Sequence, residues 1–399
     1  MHTKIARGDG MKYALKYNAF HDLESIGIDG KAESLIKYTY KNGNGRLKEI
    51  AYANGDRMAA TYNSVGQLVA EKWYNSTKTL IAHYKYVYDN SGNIVRSIDI
   101  LGEKEYNYIY TEGSLIEAIT YSIELNGEIV VGKSILNTLR YVYDDEGKQT
   151  KKILTLADGT EQVYLAADES NATSEFIVGD NSIKTHSKTD SFGRKVFDEF
   201  QLGSGFISRQ FSYHAGEETR EHKENEKLMS SPTTQLVSEI LLSDGRTLSY
   251  EYDAEERITS VTESYKTADN KTITNITEYT YDALGQLLTE SVNGSVVNSM
   301  KYDNYGNIVS KNGKEYLYDT IWRDLLKSYD GYDIEYDAQG NPTKYLGHTL
   351  TWEKGRQLKS FDNNIYTYNA NGIRTSKTVS VSISSLKNMF MHGWNALIK

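Results

Sequence analysis

The chain has 399 residues, and 54 acidic against 45 basic side chains give it a formal net charge of −9. The basic residues are scattered among acids, so the basic stripe that marks a nucleic-acid-binding surface is missing, and no apolar run reaches the roughly 18 residues that predict a membrane span. The absence of cysteine excludes disulfides and thiol chemistry.

Residues 1–35 form a ragged lead-in that precedes the repeats described next. Met1 to Tyr17 contain no apolar run, so no signal peptide is visible there. The chain contains 33 tyrosines but only 9 phenylalanines, a ratio that favours surfaces with one packed side and one wet side.

A short phrase then recurs: tyrosine, any residue, tyrosine, Asp or Asn, two residues, glycine. Complete copies begin at Tyr86, Tyr141, Tyr279 and Tyr366. Copies without the first tyrosine lie at Tyr62, Tyr302 and Tyr336. A phrase that recurs this often predicts a repeat architecture, in which one supersecondary unit is stacked many times.

Each copy of the phrase predicts a β-hairpin. Tyrosines two residues apart point to one face of a strand, and Asp or Asn followed by glycine supplies the turn. Tyr-x-Tyr pairs are then expected to pack on their neighbours across the sheet. The signature residues, interpreted as structural, are Tyr86, Tyr88, Asp89, Gly92, Tyr141, Tyr143, Asp144, Gly147, Tyr279, Tyr281, Asp282, Gly285, Tyr302, Asp303, Gly306, Tyr336, Asp337, Gly340, Trp352, Tyr366, Tyr368, Asn369 and Gly372.

The repeat array is predicted to cover residues 36–378, and it is most regular over 279–378. Its last five Asp-equivalent positions (303, 319, 337, 353 and 369) are 16 to 18 residues apart, which suits two short strands and a turn. Wider intervals, such as 63 to 89 and 111 to 144, predict longer connecting loops. The fold class is therefore all-β: hairpins in one long, curved antiparallel sheet.

Residues 379–399 form a divergent tail. Valines and an isoleucine alternating with serine predict one more strand, and apolar residues at intervals of three to four then favour a short helix. A disordered or foreign tail is the alternative interpretation.

Motifs that would indicate catalysis or the binding of a metal or cofactor are weak in this sequence. Eight histidines show no metal-binding spacing, and the acid-rich segment around His214 and His222 is more simply a solvated loop than a metal site. Lys41 to Leu47 (KNGNGRL) lacks the glycine pattern and helix of a phosphate loop, so it predicts a hairpin turn. The repeated aspartates suit turn capping better than catalysis or calcium binding. The sequence offers no catalytic residue, metal site or cofactor site.

The phrase resembles the YD repeats of the Rhs (rearrangement hot spot) proteins, of the Tc toxin B and C components and of teneurins. The resemblance is strongest over residues 334–378, where a GNP turn, a TWEKGRQL segment and a YNANGIRTSK segment follow in the order found in bacterial Rhs and wall-associated YD proteins.

The resemblance implies a non-catalytic shell or scaffold segment of a polymorphic-toxin or cell-surface protein, secreted or associated with the cell wall. Its partners would be further YD repeats or an encapsulated toxin segment in a longer parent protein. The cleavage motif and toxin domain of the family are not visible in this sequence. The alternative is a module that binds cell-wall carbohydrate through tyrosine-rich faces.

Overall fold

The computed structural model describes residues 4–6, 11–41, 45–168, 173–178, 181–215 and 233–379. Within these ranges the chain forms 34 strands and no helix. The share of residues in strands is therefore far above the roughly 20–25% of an average globular protein. The predicted tail lies outside the described residues except for Val379, which is not in a strand. His222 also lies outside them.

The strands in the first third of the chain are β1 (Lys4–Ala6), β2 (Lys12–Tyr17), β3 (Leu23–Ile28), β4 (Ser34–Tyr40), β5 (Leu47–Tyr52), β6 (Arg57–Tyr62), β7 (Leu68–Tyr74), β8 (Leu80–Tyr88), β9 (Ile94–Asp99), β10 (Lys104–Thr111), β11 (Ser114–Asn126) and β12 (Ile129–Tyr143). Those in the middle are β13 (Gln149–Leu156), β14 (Glu161–Asp168), β15 (Thr173–Val178), β16 (Asn181–Thr189), β17 (Lys195–Leu202), β18 (Gly205–Ala215), β19 (Thr233–Leu242), β20 (Thr247–Tyr252), β21 (Ile258–Lys266), β22 (Thr272–Tyr281), β23 (Leu287–Val292) and β24 (Ser295–Tyr302). The last are β25 (Ile308–Lys311), β26 (Lys314–Tyr318), β27 (Leu326–Tyr329), β28 (Tyr332–Asp333), β29 (Glu335–Tyr336), β30 (Pro342–Tyr345), β31 (His348–Glu353), β32 (Gln357–Phe361), β33 (Asn364–Tyr368) and β34 (Arg374–Thr378).

Strands β1 to β28 belong to one sheet, and β29 to β34 form a second, six-stranded sheet. In each registered pair the two strands are consecutive in the sequence and antiparallel, as in β22 with β23 and β33 with β34. The predicted all-β array of hairpins is therefore confirmed. The alternation along β22 shows its physical basis, since Tyr279 and Tyr281 face the less exposed side while Glu278 and Thr280 face water.

The predicted longer loops are wrong for two of the wide intervals. Between 111 and 144 the extra residues lengthen strands instead: β11 has 13 residues and β12 has 15. Between 63 and 89 there is an additional hairpin, β7–β8, turning at Asn75 to Thr79. Its turn has Lys78 rather than glycine at positive φ (64°), so it does not match the phrase.

The chain divides into two compact units. Unit 1 comprises Met1–Glu105, Leu125–Ile129 and Lys314–Lys399, and unit 2 comprises Tyr106–Glu124 and Val130–Gly313. Unit 1 contains a cluster of buried residues: Met11, Ile28, Leu35 and Trp322. Trp322 comes from the C-terminal repeats and the other three from the first 35 residues, so this core joins distant parts of the sequence within unit 1.

Candidate functional site

The turn of the YD phrase has one recurring geometry, which Asp89 to Asn93 illustrates. The Gly92 N–H donates to the Asp89 carbonyl (3.2 Å), closing the turn, and the Asp89 N–H donates to the Asn93 carbonyl (3.0 Å). The Asp89 carboxylate accepts the N–H groups of Ser91 and Asn93 (both 2.9 Å). The aspartate thus replaces hydrogen bonds that the strands cannot supply at the turn.

The signature glycines occupy backbone conformations that other residues rarely adopt. Their φ angles lie between 75° and 90°, and the residues are Gly92, Gly147, Gly285, Gly306, Gly340 and Gly372. One repeat has a different residue at this position, Glu256, whose φ is 63°. Positive φ strains residues that carry a Cβ, which explains why glycine recurs in the phrase.

Local hydrogen bonds also favour the ionised form of two turn aspartates, Asp89 and Asp253. The Asn93 side chain, which donates to Asp89 (3.0 Å), together with the backbone N–H groups holds the pKa of Asp89 below its ordinary value. At Asp253, desolvation opposes ionisation, but the N–H and guanidinium of Arg257 outweigh it and the pKa is again lowered. These carboxylates are acceptors in a structural turn, and their lowered pKa values do not suit a general acid at neutral pH.

The tyrosine directly before the turn forms a contact that sequence analysis did not predict. Its hydroxyl donates to a backbone carbonyl of a strand in the preceding repeat, in most cases near the start of that strand, for example Tyr281 to Ile258 (2.7 Å) and Tyr302 to Leu287 (2.9 Å). We call this contact the tyrosine staple. The same bond links Tyr40 to Leu23, Tyr88 to Leu68, Tyr143 to Leu115, Tyr213 to Lys195, Tyr252 to Val237, Tyr336 to Leu326 and Tyr368 to Leu358.

Trp352 occupies the staple position of its own repeat. It pairs with Leu358 across the β31–β32 turn, as the staple tyrosines pair across theirs, and its indole Nε1 donates to the Pro342 carbonyl (2.7 Å). The signal for the staple is partly present in the sequence, because most of these aromatic residues stand directly before an acidic or amide residue, whereas Tyr40 and Tyr213 precede Lys41 and His214. Its acceptor is a backbone carbonyl, however. Because every residue has one, the residue types do not show which carbonyl accepts the bond.

The first tyrosines of the complete phrases lie on the same face of their strands as the staple tyrosines. Cationic side chains lie over two of these rings: Lys152 Nζ is 5.5 Å from the centre of the Tyr141 ring, and the Arg374 guanidinium is 5.4 Å from that of Tyr366. These rings therefore contact cations across the sheet, and the packing of Tyr-x-Tyr pairs on their neighbours stays a prediction.

Unit 1 also contains a buried polar cluster around the turn at Asp337 to Asn341. Gln339 is fully buried, and its Oε1 accepts the N–H of Ala53 (3.0 Å). Asn54 donates to Asp337 (3.3 Å), and Asp56 accepts the N–H of Gly355 (3.0 Å). The cluster thereby joins residues almost 300 positions apart in the sequence.

Burial changes the charge preferences of this part of unit 1. Desolvation raises the pKa of Asp56, and the nearby Asp337 carboxylate adds to the effect, although the N–H of Gly355 opposes it. Burial lowers the pKa of Lys354, whose ammonium donates to the Tyr84 hydroxyl (2.7 Å). Burial likewise lowers the pKa of His83, with Lys72 adding to the effect and Glu128 opposing it. Asp56, Lys354 and His83 lie where strands of unit 1 pack together and not in an open cleft.

The signature residues are placed on successive hairpins and do not converge on one catalytic centre. Among the described residues there is no group of three or more His, Cys, Asp or Glu side chains that could hold a metal ion. The His214 ring lies 2.9 Å from the Tyr250 carbonyl and packs against Tyr252. The part of the chain that the structure describes contains no helix, and therefore no helix that is long and apolar enough to cross a membrane.

No protein-family model matches the sequence, and no curated protein matches it significantly. Among solved structures, the chain is similar to the crystal structure of TcdB2-TccC3-Cdc42, with a TM-score of 0.64 over 92% of this chain at 15% sequence identity. The structure of TcdB2-TccC3-TEV aligns over the same share with a TM-score of 0.48. This chain spans 22% of the length of either one. The chain therefore shares the fold of part of TcdB2-TccC3-Cdc42, and its own strands form the all-β array of hairpins that the repeated phrase predicted.

Proposed function

We propose that this chain is a non-catalytic segment of the shell of a larger YD-repeat protein. In that protein it would serve as a scaffold that encloses or presents another segment of the same polypeptide. The proposed partners are further YD repeats and an enclosed toxin segment, and the proposed location is outside the cell or at the cell wall. The similarity to TcdB2-TccC3-Cdc42 supports this role at the level of fold.

The observation that carries the proposal is the tyrosine staple. Each staple fixes one repeat to the preceding one by a side-chain bond in addition to the ladder between strands. A net hydrogen bond stabilises by about 0.5–1.5 kcal/mol, so the nine tyrosine staples found among the described residues and the Trp352 contact stiffen the array substantially. The tyrosine of the repeated phrase is thus used to link one repeat to the next. This use suits a structural wall better than a ligand-binding site.

Protease protection in the parent polypeptide tests this proposal. The complete polypeptide that contains this chain is prepared with and without residues 36–378, and tryptic cleavage of the remaining segments is followed by mass spectrometry. We expect the remaining segments to be cut much more slowly when the array is present. Equal cleavage rates with and without it would contradict enclosure, as would a parent polypeptide with nothing outside the array.

Carbohydrate binding through the tyrosine-rich face is the alternative, and the structure supports it less. The staple hydroxyls are already donated to backbone carbonyls, and cations lie over the rings of Tyr141, Tyr281 and Tyr366. Sugar recognition needs exposed aromatic faces with available polar groups. Saturable micromolar binding to cell-wall polysaccharide on a glycan array would favour this alternative over the scaffold.

A further inference from the structure

One face of unit 2 contains a trough that the scaffold role does not use. It spans strands β12 to β15 and has a volume of about 490 Å³. Its lining consists of Leu139, Gln149, Lys152, Leu154, Gln162, Tyr164 and Phe176.

The strand register explains why these side chains converge. Tyr141 lies opposite Lys152, Lys152 opposite Tyr164, and Tyr164 opposite Phe176, so one row crosses four strands on the same face. Directly opposed side chains have Cβ atoms about 4.5–5.5 Å apart. The row is therefore continuous, and it lies on the face that carries the signature tyrosines Tyr141 and Tyr143.

The walls of the trough are apolar and open to water. Tyr164 is 42% exposed and Phe176 is 38% exposed, and Leu139 and Leu154 extend the apolar surface along β12 and β13. Neighbouring exposed aromatic and aliphatic side chains are costly to leave in water, and such patches often mark binding sites. The amides of Gln149 and Gln162 add hydrogen-bonding groups at the rim.

A single cation lies within these walls. Lys152 is held over the Tyr141 ring, and in the part of the chain that the structure describes it forms no ion pair. By contrast, Arg140 on the opposite face of the same pair of strands contacts Glu161 (3.6 Å). The charge in the trough is thus available to a ligand.

We propose that this trough binds an amphipathic monoanion, with a flat apolar body on Tyr164 and Phe176 and one carboxylate or sulfonate on Lys152. The charge complementarity of Lys152 selects an anion, and the aromatic walls select an apolar body over a hydrophilic one. The proposal is independent of the scaffold role, since it concerns only side chains of β12 to β15.

A pair of fluorescent probes tests the charge requirement in the full chain. The anion 8-anilinonaphthalene-1-sulfonate and the neutral N-phenyl-1-naphthylamine have similar ring systems. We expect saturable binding of the anion at one site, weakened about tenfold by Lys152→Gln because a charge-assisted contact is lost. Lys151→Gln is the matched control, because Lys151 is adjacent but lies opposite Val142 and Leu165 on the other face. The neutral probe should respond to neither change.

The aromatic requirement has its own matched pair. Phe176→Ser should weaken both probes, whereas Ile177→Ser, on the other face of β15, should weaken neither. Circular dichroism checks that each variant keeps its strand content, and Lys152→Gln tests the site without altering the apolar walls. The proposal is overturned if Lys151→Gln acts like Lys152→Gln, if the anion binds at many equivalent sites, or if neither probe binds.

Discussion

The two units are built from the same repeat, but they differ in how many apolar side chains they bury. Of the eleven buried apolar residues among those described, ten belong to unit 1 and only Ile123 belongs to unit 2. In unit 2 large apolar side chains such as Phe200 and Ile207 remain at least half exposed. Unit 2 is therefore held together mainly by contacts between neighbouring hairpins, whereas unit 1 adds a buried core.

Two nearly identical turns show how this difference arises. Asp303 to Asn307 (DNYGN) in unit 2 and Asp337 to Asn341 (DAQGN) in unit 1 have the same bond from the asparagine amide to the aspartate, at 2.8 and 2.9 Å. The residue directly before the turn glycine is Tyr305 in the first turn, where it is 46% exposed, and Gln339 in the second, where it is fully buried. The phrase determines the conformation of the turn, and the surroundings determine whether the turn packs against other strands.

The largest expected effect concerns the core of unit 1. Trp322→Ala removes the aromatic ring that packs on Met11, Ile28 and Leu35, and it should lower the free energy of unfolding by about 3–5 kcal/mol. Hydrogen exchange in urea should locate the loss in unit 1. Tyr305→Ala, at an exposed aromatic in unit 2, should change stability by no more than about 0.5 kcal/mol. Similar losses from both substitutions would contradict the contrast between the units.

The next effect separates strain of the turn from packing around it. Gly340→Ala introduces a Cβ at positive φ that would clash with the Trp322 ring, whereas the Cβ of Gly147→Ala, also at positive φ, would meet nothing within 4 Å. We expect about 1 kcal/mol from backbone strain in both variants and a further 1–3 kcal/mol from overpacking in Gly340→Ala alone. Chemical denaturation measures both values. If the two variants cost the same, the docked turn contributes no packing.

The tyrosine staple should have an intermediate effect in unit 2, where the described residues form no large buried core that would hide its contribution. Tyr281→Phe removes the hydroxyl that donates to the Ile258 carbonyl and should cost about 0.5–1.5 kcal/mol. Tyr279→Phe is the control, because Tyr279 shares the face but is not at the staple position. Equal unfolding midpoints for the two variants would show that the staple adds no stability.

The smallest expected effect is a gain. Glu256 has φ 63° at the position where most repeats have glycine, so Glu256→Gly should relieve strain. The expected stabilisation is up to about 1 kcal/mol, visible as a higher unfolding midpoint. Glu255→Gly is the control: it lies one residue earlier and forms a surface ion pair with Arg257 (3.1 Å). A gain in the control and none in Glu256→Gly would contradict the assignment of strain to this position.

Much of the architecture follows from local sequence. The hairpins, the turn aspartates, the glycines at positive φ and the common face of the tyrosines all depend on residues within about ten positions of one another. Local pairing rules and turn chemistry are sufficient for such features. The β7–β8 turn was missed because Lys78 adopts the conformation that glycine usually supplies, and the long β11–β12 hairpin was mistaken for a loop because it lacks an internal copy of the phrase.

The tertiary structure decided which repeats became part of a core. Gln339 stands in the same place in its phrase as Tyr305, yet only Gln339 is buried, because Ala53 and Asn54 lie beside its turn. The row of Lys152, Tyr164 and Phe176 likewise depends on the register between strands, and no single repeat contains it. The sequence determined the hairpins because their energetics are local. The buried core and the trough required the folded arrangement, because their contacts join residues that the repeat pattern treats as equivalent or unrelated.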